Sequence, residues 1–380
     1  MKIFNKSEWK KVKLGDICDI LDSRRIPISE EKRIKGKYPY YGANGIQGYI
    51  NDYIFDEELV LLAEDGGNFG SKTKPIAYKI NGKTWVNNHA HVLKARNKII
   101  STDFLLYSLM FYDVTKLITG TTRKKLTRTG MEKITLFIPN LDVQDKITNY
   151  LQKIEKFISL RKNQLNYLKE LNKSLFTTMF GDIKSNDKNW EVKKIGEVVQ
   201  TQYGTSKKAT SVPTEFPILR MNNITYFGEM DYKDLKYIEL SNSEKEKFLL
   251  KKGELLFNRT NSKELVGKTG LFNLDIPMAF AGYLIRIKPS RLINSKFLLF
   301  FMNSKFMKKV LYNKAKNIVG MANINAKELE DFSIILPPIE LQNKFAERVE
   351  KIEKLKFEIE KSIEMVQNLY DSLISKYFDN

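Results

Sequence analysis

The 380 residues carry 64 Lys and Arg against 45 Asp and Glu, a formal net charge of +19, with 42% hydrophobic and 29% charged residues. That composition suits two or three folded domains and excludes a disordered polyelectrolyte. One cysteine, Cys18, and two histidines, His89 and His91, exclude a disulfide framework and a Cys/His zinc site within the chain.

The N-terminal MKIFNKSEWKKVKL has no apolar stretch followed by a small-residue cleavage site. No uninterrupted apolar span of roughly 18 residues occurs anywhere, so a cytoplasmic protein without membrane contact is expected.

In chain order, Trp9 opens a segment reading W-x4-L-G-D-I. Strand-like runs follow at Leu59 to Ala63, Ile76 to Ile80 and His91 to Leu93, separated by the Gly/Asn-rich turns YYGANGIQGY and EDGGNFGSK. A short amphipathic helix is predicted at Thr102 to Tyr112, then a basic loop, GTTRKKLTRTGM, from Gly120 to Met131. The tail FIPNLDVQDKI leads into a helical run ending SLFTTMFGD.

Trp190 then opens the same phrase again, as W-x4-I-G-E-V. Strands are predicted at Ile218 to Arg220, Leu255 to Phe257 and Tyr283 to Ile287, with the turn NRTNSKELVGKTG between them and a helix at Ser295 to Val310. The loop NIVGMANINAKEL, Asn317 to Leu329, precedes the tail ILPPIELQNKF and a run ending SLISKYFDN. Gln144 and Gln342 of the two tails are set further apart along the chain than Trp9 and Trp190 of the two openings. A duplicated frame therefore encloses bodies of different length, the second longer by about 17 residues, as expected of a repeated scaffold carrying a variable module.

The excess charge sits in the modules. Residues 1–141 hold 24 basic and 15 acidic side chains, and residues 183–339 hold 26 and 16. The runs 142–180 and 340–378 hold only 7 against 4 and 7 against 8. A polyanion is the natural partner of such modules, with binding that falls steeply with salt.

Apolar residues recur in steps of three and four at Ile147, Leu151, Ile154, Ile158, Leu165, Leu168, Leu175 and Met179, interrupted by Arg161 and Asn172. The second run gives Phe345, Val349, Ile352, Ile359, Ile363, Val366 and Leu373, with Lys356, Tyr370 and Tyr377 at the remaining positions. These are coiled-coil seams, free of Gly and Pro. A run of about 39 residues spans roughly 58 Å, too long for one small domain to cover, so each helix needs a partner helix. Antiparallel pairing lets Arg161 and Lys356 snorkel past apolar neighbours near the midpoint; parallel pairing sets them at neighbouring levels.

Side chains suited to duplex recognition gather in the loops. Arg123, Lys124, Lys125 and Arg128 form a basic cluster, with Asn44 and Lys72 in the earlier turns. Asn222, Asn223, Arg259, Asn261, Asn317, Asn323 and Asn325 offer amides and guanidinium groups in the second module. Arg forks onto guanine, Asn onto adenine, and Lys meets phosphate; an Asn in a Gly-rich loop is also a common turn residue.

Catalytic motifs fail on inspection. LVGKTG lacks the leading glycine of a phosphate loop, because Ser262 stands there. The D-x-K triplets at Asp231 and Asp234 are expected by accident in so Lys-rich a chain, and Pro337-Pro338 lacks the N-P-P-Y setting of adenine methyltransferases. His89 and His91 alternate on an expected strand, which favours a structural or phosphate-contacting role over catalysis.

The stretches YPYYGANGIQGYI, WVNNHAHVLKA, TGTTRKKLTRTGMEKITLFIPNLDVQDKI and MANINAKELEDFSIILPPIELQNKF resemble the specificity subunits of type I restriction-modification systems over nearly the whole chain. One departure is Pro139-Asn140 in the first tail against Pro337-Pro338 in the second, a difference expected to touch only the turn.

The resemblance implies an α+β protein with two mixed α/β target recognition domains, residues 1–141 and 183–339. Two long spacer helices, 142–182 and 340–380, would join them as an antiparallel coiled coil in a pseudo-two-fold internal repeat. It further implies no catalytic site and no metal or cofactor on this chain. Double-stranded DNA would be read as a bipartite target. Two modification subunits would bind the chain, and restriction subunits through them, with S-adenosylmethionine, Mg and ATP on those partners. The competing expectation is a protein-interaction scaffold, which would lack salt-sensitive binding to duplex. Met1 directly before the first repeat and the absence of methyl-donor motifs speak against a fragment of a single-chain enzyme.

Overall fold

Leu59–Ala63 and Leu255–Asn258 are buried at every position, the pattern of strands covered on both faces. Each lies inside a four-stranded antiparallel sheet, and the two sheets have the same order. In the first, Cys18–Ile20, Ala90–Ala95, Leu59–Ala63 and Ala77–Ile80 lie side by side. In the second the order is Val199–Tyr203, Leu284–Pro289, Leu255–Asn258 and Thr269–Leu271.

The computed structural model describes residues 5–121, 123–318 and 321–379, with backbone alone at 316–318. It divides into two units, Met1–Asn163 with Ile359–Asn380, and Gln164–Glu358. Each unit thus combines one module with the beginning of one long helix and the end of the other.

Both modules open and close on the same two-stranded pair. Lys10–Lys13 runs antiparallel to Thr135–Ile138, and Glu191–Lys194 to Ser333–Leu336. A second sheet flanks each core, built on Tyr38–Gly42 in the first unit and Phe216–Leu219 in the second, each with one parallel neighbour. The predicted helix at Thr102 forms over Thr102–Met110, capped by Ser101. The one predicted at Ser295 to Val310 is two helices, Ser295–Met302 and Lys305–Lys314. Asn303 ends the first by turning its amide back onto the Leu299 carbonyl, and Ser304 caps the second through Met307 N–H, so adjacent stop and start signals break the run. His89 lies in a turn, and only His91 lies on the strand Ala90–Ala95, because the chain bends between them.

The repeated tails have a physical reason. Gln144 is fully buried, and its amide nitrogen donates to the carbonyls of Ile99 and Pro139 while its oxygen accepts from Ser101 N–H. Gln342, also fully buried, repeats this with Leu292, Pro337 and Asn294. One side chain ties the start of a long helix to the cap of the module's own helix. The Asn140 to Pro338 exchange affects the start alone: Asn140 caps with its side chain through Val143 N–H, whereas Pro338 offers only its carbonyl, to Leu341 and Gln342.

The long helices are Leu141–Phe180 and Ile339–Phe378, 40 residues each. In the first unit Ile147 and Leu151 share a core with Leu373, Ile374 and Tyr377, and Tyr370 donates its hydroxyl to Glu155 at 2.6 Å. Trp9 stacks on Tyr377 there. In the second unit Phe345 and Val349 share a core with Phe176 and Phe180, whose rings lie 5.4 and 5.3 Å from Phe345. Start meets end in both units, so the helices pair antiparallel.

Every seam residue expected from the heptads is withdrawn from solvent. Ile147, Leu151, Ile158, Phe345, Val349, Ile352, Ile359 and Leu373 are buried, and Ile154, Leu165, Leu168, Leu175, Ile363 and Val366 are half-buried. Arg161 and Lys356 are half-buried among them. Among the described residues no helix is long and apolar enough to cross a membrane.

Candidate nucleic-acid interface

In the first unit the basic loop is a hairpin in which Ile118–Thr119 pairs with Lys125–Leu126; Thr122 lies outside the described residues. Its returning arm continues the central sheet, since Leu126 N–H donates to the Glu64 carbonyl at 2.7 Å just beyond Leu59–Ala63. Side chains reinforce that seat. Lys125 Nζ lies 2.9 Å from Glu64, and Arg123 2.8 Å from Asp65. Lys124 is exposed, and Arg128 pairs with Glu132 one helical turn away at 2.9 Å.

Beneath the hairpin lies a buried polar cluster that the sequence did not single out, apart from its histidines. His91 places Nδ1 2.6 Å from Asp22 and Nε2 2.8 Å from the Leu126 carbonyl, so its ring bridges the sheet to the loop. Arg25 adds a guanidinium to Glu64 at 2.5 Å. Burial opposes ionisation of Asp22, but His91, the Val92 N–H and Arg25 together hold its carboxyl below the usual range. Glu64 is likewise held down against burial by Lys125, Arg25 and His91.

Ligand atoms of Asp22, Glu64 and His91 approach within 4.8 Å, a spacing compatible with a cation. Arg25 and Lys125 already supply the positive charge there, so the donor set reads as an ion-pair network. The alternation of His89 and His91 after an apolar strand was the one available signal; Asp22 and Arg25 are brought in from distant parts of the chain.

Asn44 is nearby in space. Its amide donates to the Gly66 carbonyl at 2.9 Å and accepts from Asn68, joining the tyrosine-rich hairpin to the glycine loop. Gly66 has φ +64°, which suits a glycine there. Lys72, in the same loop, is exposed.

The second unit has the equivalent seat. Ile324 N–H donates to the Arg259 carbonyl at 2.9 Å, and Thr260–Asn261, Met321–Asn323 and Lys316–Ile318 form a three-stranded sheet. Arg259 lies 4.8 Å over the Tyr203 ring and reaches Asn323 Oδ1 at 3.3 Å, while Asn323 Nδ2 donates to Thr260 at 2.9 Å. Asn261 accepts from Ser262 N–H. The structure therefore gathers Arg259, Asn261 and Asn323. Asn317 belongs to the neighbouring strand, but its side chain lies outside the described residues.

Asn222 is exposed one residue from Asn223, but Asn223 itself is 2% exposed. Its amide donates to the carbonyls of Asp231 and Asp234 and accepts from Arg220, which makes it a turn residue. Asn325 caps the short helix Ala326–Glu330 through Glu328 N–H. These two amides are engaged within the module.

Comparison with known proteins agrees with this duplicated design. The family model described as "Type I restriction modification DNA specificity domain" matches twice, over residues 6–170 and 187–366. A putative type I restriction enzyme specificity subunit from Haemophilus influenzae is 27% identical, covering 92% of this chain and 88% of that one. The EcoKI specificity subunit of Escherichia coli K12 is 24% identical, with 90% and 81% covered. The crystal structure of a type I S subunit from M. genitalium superposes with a TM-score of 0.62 at 14% identity, covering 100% of this chain and 98% of that one. The chain belongs to the family of type I restriction-modification DNA specificity proteins and carries its characteristic domain twice.

Proposed function

We propose that this chain supplies the sequence specificity of a type I restriction-modification complex and has no catalytic site of its own. Residues 1–141 read one half of a bipartite duplex target and residues 183–339 the other, while the helices Leu141–Phe180 and Ile339–Phe378 set the spacing between them. One observation carries this reading: the same backbone seat is built twice, at Leu126 on Glu64 and at Ile324 on Arg259, and is furnished with different side chains. A constant frame with exchanged side chains is what two different half-sites require.

Arg123, Lys124 and Lys125 are assigned to DNA in the first module, with Asn44, Lys72 and Arg128 beside them. Arg259, Asn261, Asn323 and Asn222 take that role in the second, with Asn317 on the adjoining strand. Chemistry on the target falls to modification subunits, two to a complex, with restriction subunits joined through them in the cytoplasm.

The long helices offer docking residues away from their seams. Phe157 and Leu160 are exposed in the first unit, as are Tyr167, Leu171 and Leu355 in the second. Phe157 and Leu355 are repeat equivalents, so two copies of one partner would find like contacts.

Sequencing of methylated adenines in cells carrying the complex tests this reading. A split motif with a fixed gap is expected, and removal of four residues from a spacer helix should change the gap and leave the half-sites intact. Altered half-site bases after that deletion would refute the spacing role.

A further inference from the structure

Beside the proposed reading residues Arg259 and Asn261, the second unit contains a cavity of about 250 Å³ lined by Tyr226, Lys263, Val266, Lys268, Lys308 and Tyr312, together with Lys309 and Glu264. Four lysines line it against one acidic residue, the exposed Glu264. Among the described residues none of the four lysines forms an ion pair.

Two of them are withdrawn from water without a counter-charge, Lys268 almost fully and Lys308 in part. Lys268 is 8% exposed, and its ammonium donates to the carbonyls of Met221 and Ile224 at 3.0 and 2.6 Å. Lys308 donates to the Tyr226 carbonyl at 2.6 Å and lies 3.8 Å over the Tyr226 ring. Lys263 lies 4.6 Å over Tyr312 in the same way. Burial lowers the proton affinity of both Lys268 and Lys308, and the nearby Lys173 adds to the effect at Lys308.

Carbonyl oxygens and ring faces hold these ammonium groups in place but do not neutralise them, and buried charge is normally paired. The arrangement is complementary to an anion. We infer that the cavity between Lys263, Lys268, Lys308 and Tyr226 is a phosphate-binding site, taking either a phosphate of a duplex backbone or that of a free nucleotide. Its volume is ample for a phosphate group. Bound phosphate would neutralise Lys308 and restore its proton affinity.

The backbone alternative rests on the DNA-recognition reading; the nucleotide alternative does not. The test uses the full chain, with inorganic phosphate titrated by calorimetry at constant ionic strength against chloride. Saturable binding is expected, weakened about tenfold or more in Lys308→Met and Lys263→Met. The second variant keeps the test valid should the first fail to fold.

Displacement of phosphate by a short duplex of scrambled sequence identifies the backbone as its source, whereas displacement by AMP alone identifies a nucleotide. Absence of saturable phosphate binding, or equal binding in wild type and both variants, overturns the inference. Duplex binding itself, measured separately by gel shift, then still decides the DNA reading.

Discussion

Leu126 donates its backbone N–H to the Glu64 carbonyl at 2.7 Å, and at the matching place in the second repeat Ile324 donates to Arg259 at 2.9 Å. The backbone geometry is shared while the charges are rearranged. In the first module acids on the strand end face bases on the loop, as Glu64 with Lys125 and Asp65 with Arg123. In the second a base on the strand end faces an amide on the loop, as Arg259 with Asn323.

Arg123 pairs with Asp65 at 2.8 Å, and under the proposed DNA reading this carboxylate occupies the place a phosphate would take. Its substitution, Asp65→Asn, removes an opposing charge worth up to about 1 kcal/mol near the surface. Random duplex should then bind tighter by about fivefold at low salt, with poorer discrimination of the target. Fluorescence anisotropy on both duplexes measures this; unchanged or weaker random binding would place Asp65 away from DNA.

Neutralising Arg123, Lys124 and Lys125 together should weaken binding and flatten its salt dependence. The slope of log affinity against log salt should fall by about 0.9 for each phosphate no longer neutralised. An unaltered slope would remove the hairpin from the interface.

Gln144 and Gln342 each satisfy one buried N–H and two carbonyls. Gln144→Ala leaves these groups unpaired and should destabilise the first unit by about 2–4 kcal/mol, with a like effect from Gln342→Ala on the second. Urea unfolding followed by circular dichroism provides the measurement. Wild-type stability in either variant would show that the clamp is dispensable.

Asp22 and Glu64 are held below the usual carboxylate range in the fold. Their stabilisation is therefore complete above the unfolded-state value near ~4 and is lost as pH falls through the folded-state value. The first unit should lose stability on acidification below about pH 5, and Asp22→Asn should make that decline shallower. Parallel stability-against-pH curves for wild type and variant would contradict the network.

Asn172 occupies a seam position at 8% exposure, and its Oδ1 has no partner among the described residues. Asn172→Leu should raise stability by about 1 kcal/mol by removing an unpaired buried acceptor. A lowered melting temperature would instead indicate that the amide is bonded.

By itself the sequence determined the duplication, the central strands and the seams from Ile147 to Leu373, because short continuous apolar runs and a 3.5-residue apolar period are local properties of a chain. The basic and amide-rich loops were legible from their local composition. Tertiary structure alone decided which polar side chains remain available to a ligand. It turned Asn223 and Asn325 inward as turn and cap residues, and it brought Asp22, Arg25 and Glu64 around His91. It also placed Lys263, Lys268 and Lys308 around one cavity. Electrostatic partnership depends on distances between residues far apart along the chain, and those distances exist only once the chain has folded.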